Sequence, residues 1–155
     1  MEQERIKNNT SEFVQTWRAI DELYAQYAKS VGLTYIGLII LDTLYRAPNT
    51  YTQKEISEKT GFPKQTININ IRYFLEKGYI ELRELREDRR SKAIEFTQKG
   101  IVYSKEIIGR LQKIEESVMK GLSSDQKQLL TQLLVKTKKQ FEELMNTSPH
   151  HQKDA

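Results

Sequence analysis

The chain has 155 residues, 30% of them charged and 37% hydrophobic, with no cysteine; that suits one domain with helical extensions and excludes disulfides, thiolate metal sites and thiol redox sensing. Lysine and arginine number 25 against 21 aspartates and glutamates, and a net charge of +4 fits nucleic acid or a plain basic fold alike, so the placement of charge must decide. No apolar run approaches the ~20 residues of a membrane span, and the charged start Met1-Glu2-Gln3-Glu4-Arg5 leads into no apolar signal segment, so the sequence reads as a cytoplasmic protein without membrane contact.

From Phe13 the apolar positions are Phe13, Trp17, Ile20, Tyr24, Tyr27 and Val31, which make a one-faced helical stripe; Ile6 precedes them. Glu12, Arg18, Asp21, Glu22 and Lys29 occupy the other faces, and Gly32 stops the helix. Thr34 can cap the next helix. Tyr35, Ile36, Ile39, Ile40 and Leu44 make that one apolar over much of its girth, which predicts a core position. Ala47-Pro48-Asn49 reads as a turn.

Thr52-Gln53-Lys54-Glu55 is a capping box, in which hydroxyl and carboxylate each reach the other residue's backbone amide. Ile56 faces inward. Gly61 supplies the left-handed residue of a tight helix-to-helix turn, and Pro63 suits the first position of the helix that follows. Residues 64–77 form that helix, stopped by Gly78. Ile67, Ile71, Phe74 and Leu75 share its inner face. Gln65, Ile69, Arg72 and Tyr73 point the other way, with Thr66 and Asn68 on the flanks and no carboxylate until Glu76. Amide, hydroxyl and guanidinium groups can read base edges in a major groove, where Asp or Glu would be repelled by phosphates. A solvated polar helix face is the other reading.

Ile80 and Leu82 alternate with Glu81 and Arg83, and Ile94 and Phe96 with Ala93 and Glu95, around a charged loop. Period two on both arms predicts a half-buried hairpin. Its tip carries Arg86, Arg89, Arg90 and Lys92 with Glu87 and Asp88. A guanidinium there can enter an A·T-rich minor groove, with Asp88 as its orienter; a solvated turn with local ion pairs is the alternative. Helix-turn-helix followed by a basic-tipped hairpin is the layout of a winged-helix DNA reader.

Thr97 caps a further helix striped by Ile101, Ile107 or Ile108, Leu111, Ile114 and Val118, ending at Gly121. Leu122 as a staple and Ser123/Gln126 as a weaker box start the last helix, which carries Leu129, Leu130, Leu133, Leu134, Thr137, Phe141, Leu144 and Met145. Ser148-Pro149 closes it. His150 and His151 fall in the tail, where nothing completes a ligand set, and the chain has no phosphate loop or nucleophile elbow. The sequence therefore predicts no enzyme, no metal and no cofactor.

These residues carry a resemblance. The Leu33-Thr34 pair, the Thr52–Glu55 box, Gly61, Gly78-Tyr79-Ile80, the knot Asp88-Arg89-Arg90-Ser91, and Phe96-Thr97-Gln98-Lys99-Gly100 in place of Leu-Thr-x-x-Gly follow one family's pattern. The chain resembles the MarR family of bacterial transcription regulators over nearly its full length. The resemblance implies an obligate homodimer built from the first and last helices, a repressor's role, and a roughly palindromic duplex-DNA operator. It implies a reading helix in the major groove and a wing arginine in the minor groove. By position Arg90 is the wing candidate and Arg89 the fallback, with Asp88 orienting. Relatives often carry a short polar residue or Arg where this chain has Ile69. An isoleucine can pack against a thymine methyl or against a neighbouring helix. The family commonly senses small, often aromatic molecules in a cleft, and Trp17, Tyr24, Tyr27, Tyr35 and Tyr103 are the candidates to line one; the same spacing equally describes core aromatics.

The expected fold is thus mainly α with a small β-hairpin wing, a winged helix-turn-helix flanked by long N- and C-terminal dimerisation helices. Residues 1–33 form the N-terminal dimerisation helix, 34–100 the DNA-binding domain, 101–146 the C-terminal dimerisation helices and 147–155 a disordered tail. The DNA-binding set is Lys64, Gln65, Thr66, Asn68, Ile69, Arg72, Arg89, Arg90 and Lys92. The competing function is a winged-helix protein-interaction module, which the wing glutamates Glu81, Glu84, Glu87 and Glu95 would suit.

Overall fold

Threonines fix where three of the helices begin. Thr34 accepts the Gly37 amide at 2.9 Å, and Thr97 accepts the Gly100 amide at 3.0 Å. Thr52 closes the expected capping box: its hydroxyl accepts the Glu55 amide at 3.3 Å while its own amide donates to Glu55 Oε2 at 2.7 Å. The Thr52 amide, and then its hydroxyl, hold the Glu55 carboxyl below its ordinary range.

A computed structural model of the protein describes residues 1–48, 51–84 and 91–147. The order is α1 (Glu2–Ser30), α2 (Tyr35–Arg46), α3 (Gln53–Thr60), α4 (Lys64–Glu76), β1 (Ile80–Glu84), β2 (Lys92–Phe96), α5 (Gln98–Lys120) and α6 (Ser124–Thr147). The wing tip with Asp88, Arg89 and Arg90, and the tail from Ser148, lie outside the described residues. The chain divides into two compact units, Met1–Arg110 and Leu111–Ala155. Among the described residues no single helix is long and apolar enough to cross a membrane.

The first unit holds the core. Leu38, Ile40, Leu41 and Leu44 of α2 are buried, together with Ile56 of α3, Ile67, Ile71 and Phe74 of α4, Ile80, Ile94, and Ile107 and Ile108 of α5. The inner face of α4 is as periodicity predicted, whereas in α2, the most apolar helix, Ile40 and Leu44 are joined in the core by Leu38 and Leu41 while Tyr35, Ile36 and Ile39 stay half-buried. The turn from α3 to α4 is made by Gly61, at φ +74°. Pro63 stands one place earlier than expected. Its ψ of 144° is extended, so it precedes the helix as N-cap, and its carbonyl accepts the first helical bond from the Ile67 amide.

β1 and β2 pair antiparallel with Ile80 opposite Phe96, Leu82 opposite Ile94 and Glu84 opposite Lys92. Glu81 faces Glu95 across the ladder, and Arg83 relieves the repulsion by pairing with Glu95. Alternation fails at Ala93, which is 3% exposed rather than outward-facing. The reason is a third segment: Thr52 bridges Ala93, and the Ile94 amide donates to the Tyr51 carbonyl at 2.9 Å. β2 is therefore paired on both edges at Ala93 and Ile94, the two residues of the strand that are buried, while Lys92 stays exposed.

Two polar ties fix α4 in place. At its C-terminal end, Lys99 Nζ donates to the Lys77 carbonyl at 2.7 Å and the Thr97 hydroxyl to the Gly78 carbonyl at 2.7 Å. The Thr97 amide donates to the Tyr79 carbonyl at 3.1 Å. Carbonyls that a helix end leaves unpaired are thus taken up by the start of α5. Tyr103 stacks on Tyr79 with centroids 3.8 Å apart, and Lys99 lies 5.0 Å over the Tyr79 ring. The second tie is midway along α4. Having accepted from Gly37, the Thr34 hydroxyl donates to Asn70 Oδ1 at 3.3 Å, and Asn70 Nδ2 donates to the Thr66 carbonyl at 2.9 Å.

The second unit contains the end of α5 and α6. The Ser123/Gln126 box forms, with the Ser123 amide on Gln126 Oε1 at 2.9 Å. No residue of α6 is buried, although Leu129, Leu130, Leu133, Leu134, Phe141, Leu144 and Met145 lie along it.

Two substitutions test the ties. A Cβ on Gly100 would lie 1.7 Å from the Tyr79 carbonyl oxygen, a distance the backbone must move to relieve. Gly100→Ala should therefore lose about 3 kcal/mol or more of unfolding free energy in denaturant titrations at fixed protein concentration. For the second tie, Thr34→Val and Asn70→Leu should each cost about 1 kcal/mol, and the double variant should cost less than their sum. Strict additivity would mean that the Thr34–Asn70 bond carries no stability.

Candidate nucleic-acid interface

The polar face of α4 exists because the opposite face is consumed by the core. With Ile67, Ile71 and Phe74 fully buried, the 3.6-residue period turns Lys64, Gln65, Asn68, Ile69 and Arg72 outward, and all five are exposed. Thr66 is half-buried on the flank. Among the described residues, no side-chain hydrogen bond or ion pair engages Lys64, Gln65, Asn68 or Arg72. Gln65, Ile69 and Arg72 lie on one line at i, i+4 and i+7. Lys64 stands in the first turn, where the helix dipole favours an anion rather than a cation. A surface selected only for stability would place Asp or Glu there.

Ile69 is 64% exposed, so packing against a neighbouring helix within the chain is not its role. Tyr73, expected outward, is half-buried with its ring edge against Phe74 and Lys77 above it. On the wing, Lys92 is exposed at the start of β2. Arg89, Arg90 and Asp88 belong to the segment outside the described residues.

The five aromatics proposed for an effector cleft fall in three places. Trp17 is 43% exposed on α1 with its ring edge-on to Phe13. Tyr27 donates its phenol to the Ile107 carbonyl at 2.7 Å, which joins α1 to α5; burial raises its pKa and Arg110 opposes the rise. Tyr35 opens α2, its pKa raised by burial and then by Asp21. Tyr24 is half-buried on α1, one turn before Tyr27. Tyr103 lies instead on Tyr79 at the base of the wing. Burial first, and then Tyr73, Tyr79 and Glu106, push its phenol up to about 12.

Asn70 is the residue that periodicity did not single out. It is on the seam between the inner and outer faces of α4, and its partner Thr34 is 36 positions away. Thr34 announced itself as a cap, but nothing local pairs it with Asn70.

A sequence model of the MarR family matches residues 31–91, the span from α2 through the wing tip. Solved structures match over much more of the chain. MepR of S. aureus, crystallised as a complex with DNA, shares 20% identity at a TM-score of 0.70, covering 83% of this chain and 97% of that one. NMB1585, a MarR family regulator from Neisseria meningitidis, shares 22% at a TM-score of 0.75, covering 89% and 96%. The PcaV transcriptional regulator from Streptomyces coelicolor, solved with its natural ligand, shares 15% at a TM-score of 0.63, covering 80% and 89%. At these identities the likeness is one of fold, and the fold agrees with the family match on α2, α3, α4 and the wing. Residues 31–91 thus match the MarR family of transcription regulators, and the chain as a whole shares the fold of that family's solved members.

Proposed function

We propose that this protein is a repressor that binds a pseudo-palindromic operator as a homodimer and is released by a small aromatic effector. The observation that carries the DNA reading is the outer face of α4. Its exposed donors, free of carboxylates over residues 64–75, suit a major groove flanked by phosphates. MepR, with the same fold, was crystallised on DNA. Lys64, Gln65, Thr66, Asn68, Ile69 and Arg72 form the major-groove set, and Lys92 serves a backbone phosphate. Arg90, with Arg89 as the fallback and Asp88 orienting, enters the minor groove.

The dimer reading rests on apolar surface left uncovered on both units: Phe13, Trp17 and Ile20 on α1, and the leucines of α6. Solvent-exposed stripes of that kind mark a protein partner, and a second copy satisfies them symmetrically. The effector reading rests on the half-buried Tyr24, Tyr27 and Tyr35, and on PcaV having been solved with its ligand. The competing protein-interaction reading is less favoured, because Glu95, one of the wing glutamates that motivated it, pairs with Arg83.

Selection from a random duplex pool at near-physiological salt tests the proposal. The expected product is an inverted repeat with half-sites about one helical turn apart. A folded, ligand-stripped dimer that enriches nothing would overturn sequence reading. With the operator in hand, Arg72→Ala should cost about 1–3 kcal/mol and relax one base position. Arg90→Ala should weaken binding with no change in the unfolding midpoint, and wild-type affinity in that variant would remove the wing assignment.

A further inference from the structure

Ile69 is out of place on a donor-lined face. It stands between Gln65 and Arg72 on the line at the centre of the outer face, 64% exposed, and none of the described elements covers it. Exposed β-branched residues gain nothing for a helix surface. In a major groove the side chain would meet one base edge, and the chemistry of that edge is constrained. An aliphatic group set against a cytosine amine, or against the acceptors of guanine or adenine, strips water from a polar atom and returns no hydrogen bond. Thymine offers the one apolar group in the groove, its C5-methyl. Gln65 on one side and Arg72 on the other can meanwhile hold the neighbouring purines through their N6, N7 and O6 atoms.

We propose that Ile69 is the specificity-determining residue for a thymine in each operator half-site, recognised through its C5-methyl. The inference rests on the DNA reading above and names what the centre of that interface selects. Flanking Lys64 and Arg72 supply the positive charge that brings the apolar contact against the groove.

The experiment uses the full-length dimer and the operator duplex selected with it. Each thymine of the half-site is replaced in turn by deoxyuridine, which removes the C5-methyl and keeps the base-pairing edge. At one symmetric position the wild type should lose about four-fold in affinity per half-site, so about fifteen-fold when both are changed. Ile69→Ala should lose affinity for the normal duplex and become indifferent to uridine at that position alone. Ile69→Val, which keeps a methyl-bearing branch, should retain much of the sensitivity. Because Ile69 is exposed, neither variant should unfold at a lower denaturant midpoint than the wild type, which separates contact from fold. An operator whose thymine methyls are all dispensable would overturn the assignment while leaving the DNA reading intact. So would uridine sensitivity that persists unchanged in Ile69→Ala. Failure of the wild type to enrich any operator would take down the DNA reading and this proposal together.

Discussion

The close approach of Gly100 to the Tyr79 carbonyl is the contact on which the arrangement depends. Tyr79 follows the end of α4 directly, and Gly100 lies in the first turn of α5. Holding them in contact closes the base of the hairpin, where Ile80 meets Phe96 and the Thr97 amide bonds Tyr79. The wing therefore projects from a fixed base instead of hanging from a flexible loop. The same contact lets Thr97 and Lys99 reach the Gly78 and Lys77 carbonyls just past α4, while the Lys77, Gly78 and Tyr79 amides take up the Tyr73, Leu75 and Phe74 carbonyls inside it. Any shift of α5 along its axis acts on α4 through those bonds, because a Thr hydroxyl and a Lys ammonium cannot follow far without losing their acceptors.

The rest of α4 is held from the other side. Ile67, Ile71 and Phe74 bury their full surface, and each such side chain contributes about 1.5–3 kcal/mol. Asn70 adds a directional bond to Thr34, which apolar packing cannot supply. Three kinds of restraint thus act on one face, the seam and one end. The outer face is then free to be chosen for recognition, and its residues do little for stability. Lys64 in the first turn is the clearest instance. It is unfavourable against the helix dipole in isolation, and it becomes favourable once a phosphate is placed beside it.

Much of this was legible in the sequence because its signals are short-ranged. The Thr52–Glu55 box, the Ser123/Gln126 box and the Thr34 cap are written within four residues, and each formed as expected. The inner face of α4 followed from period 3.6, and the core position of α2 from its apolar girth. What escaped depends on residues far apart in the chain. Ala93 was placed outward because alternation assumes one solvated face, and the Tyr51–Thr52 segment, distant in sequence, lies against the strand there. Asn70 could not be matched to Thr34 from either local context. The stacking of Tyr103 on Tyr79, 24 positions earlier and in another element, likewise had no local signal. Pro63 moved by one position, within the ordinary uncertainty of a helix boundary.

The modest net charge bears on how the proposed reading would work. At +4 the chain cannot rely on a broad electrostatic field, and its charges lie in specific places. Glu81, Glu84 and Glu95 occupy the strands of the wing, partly balanced by Arg83 and Lys92, while the outer face of α4 keeps its cations free of acidic neighbours over residues 64–75. Non-specific affinity scales with the number of phosphates neutralised, so a protein with few engaged cations dissociates readily from random sequence. Base contacts must then supply a larger share of operator affinity, and one α4 with one wing makes few of them. In the proposed dimer, two copies joined through the apolar faces of α1 and α6 would present twice the contacts, and the second set would bind without a second translational cost. On the proposed reading, a weakly charged protein of this kind would gain its specificity from pairing, which would tie the uncovered leucines of α6 to the donors of α4.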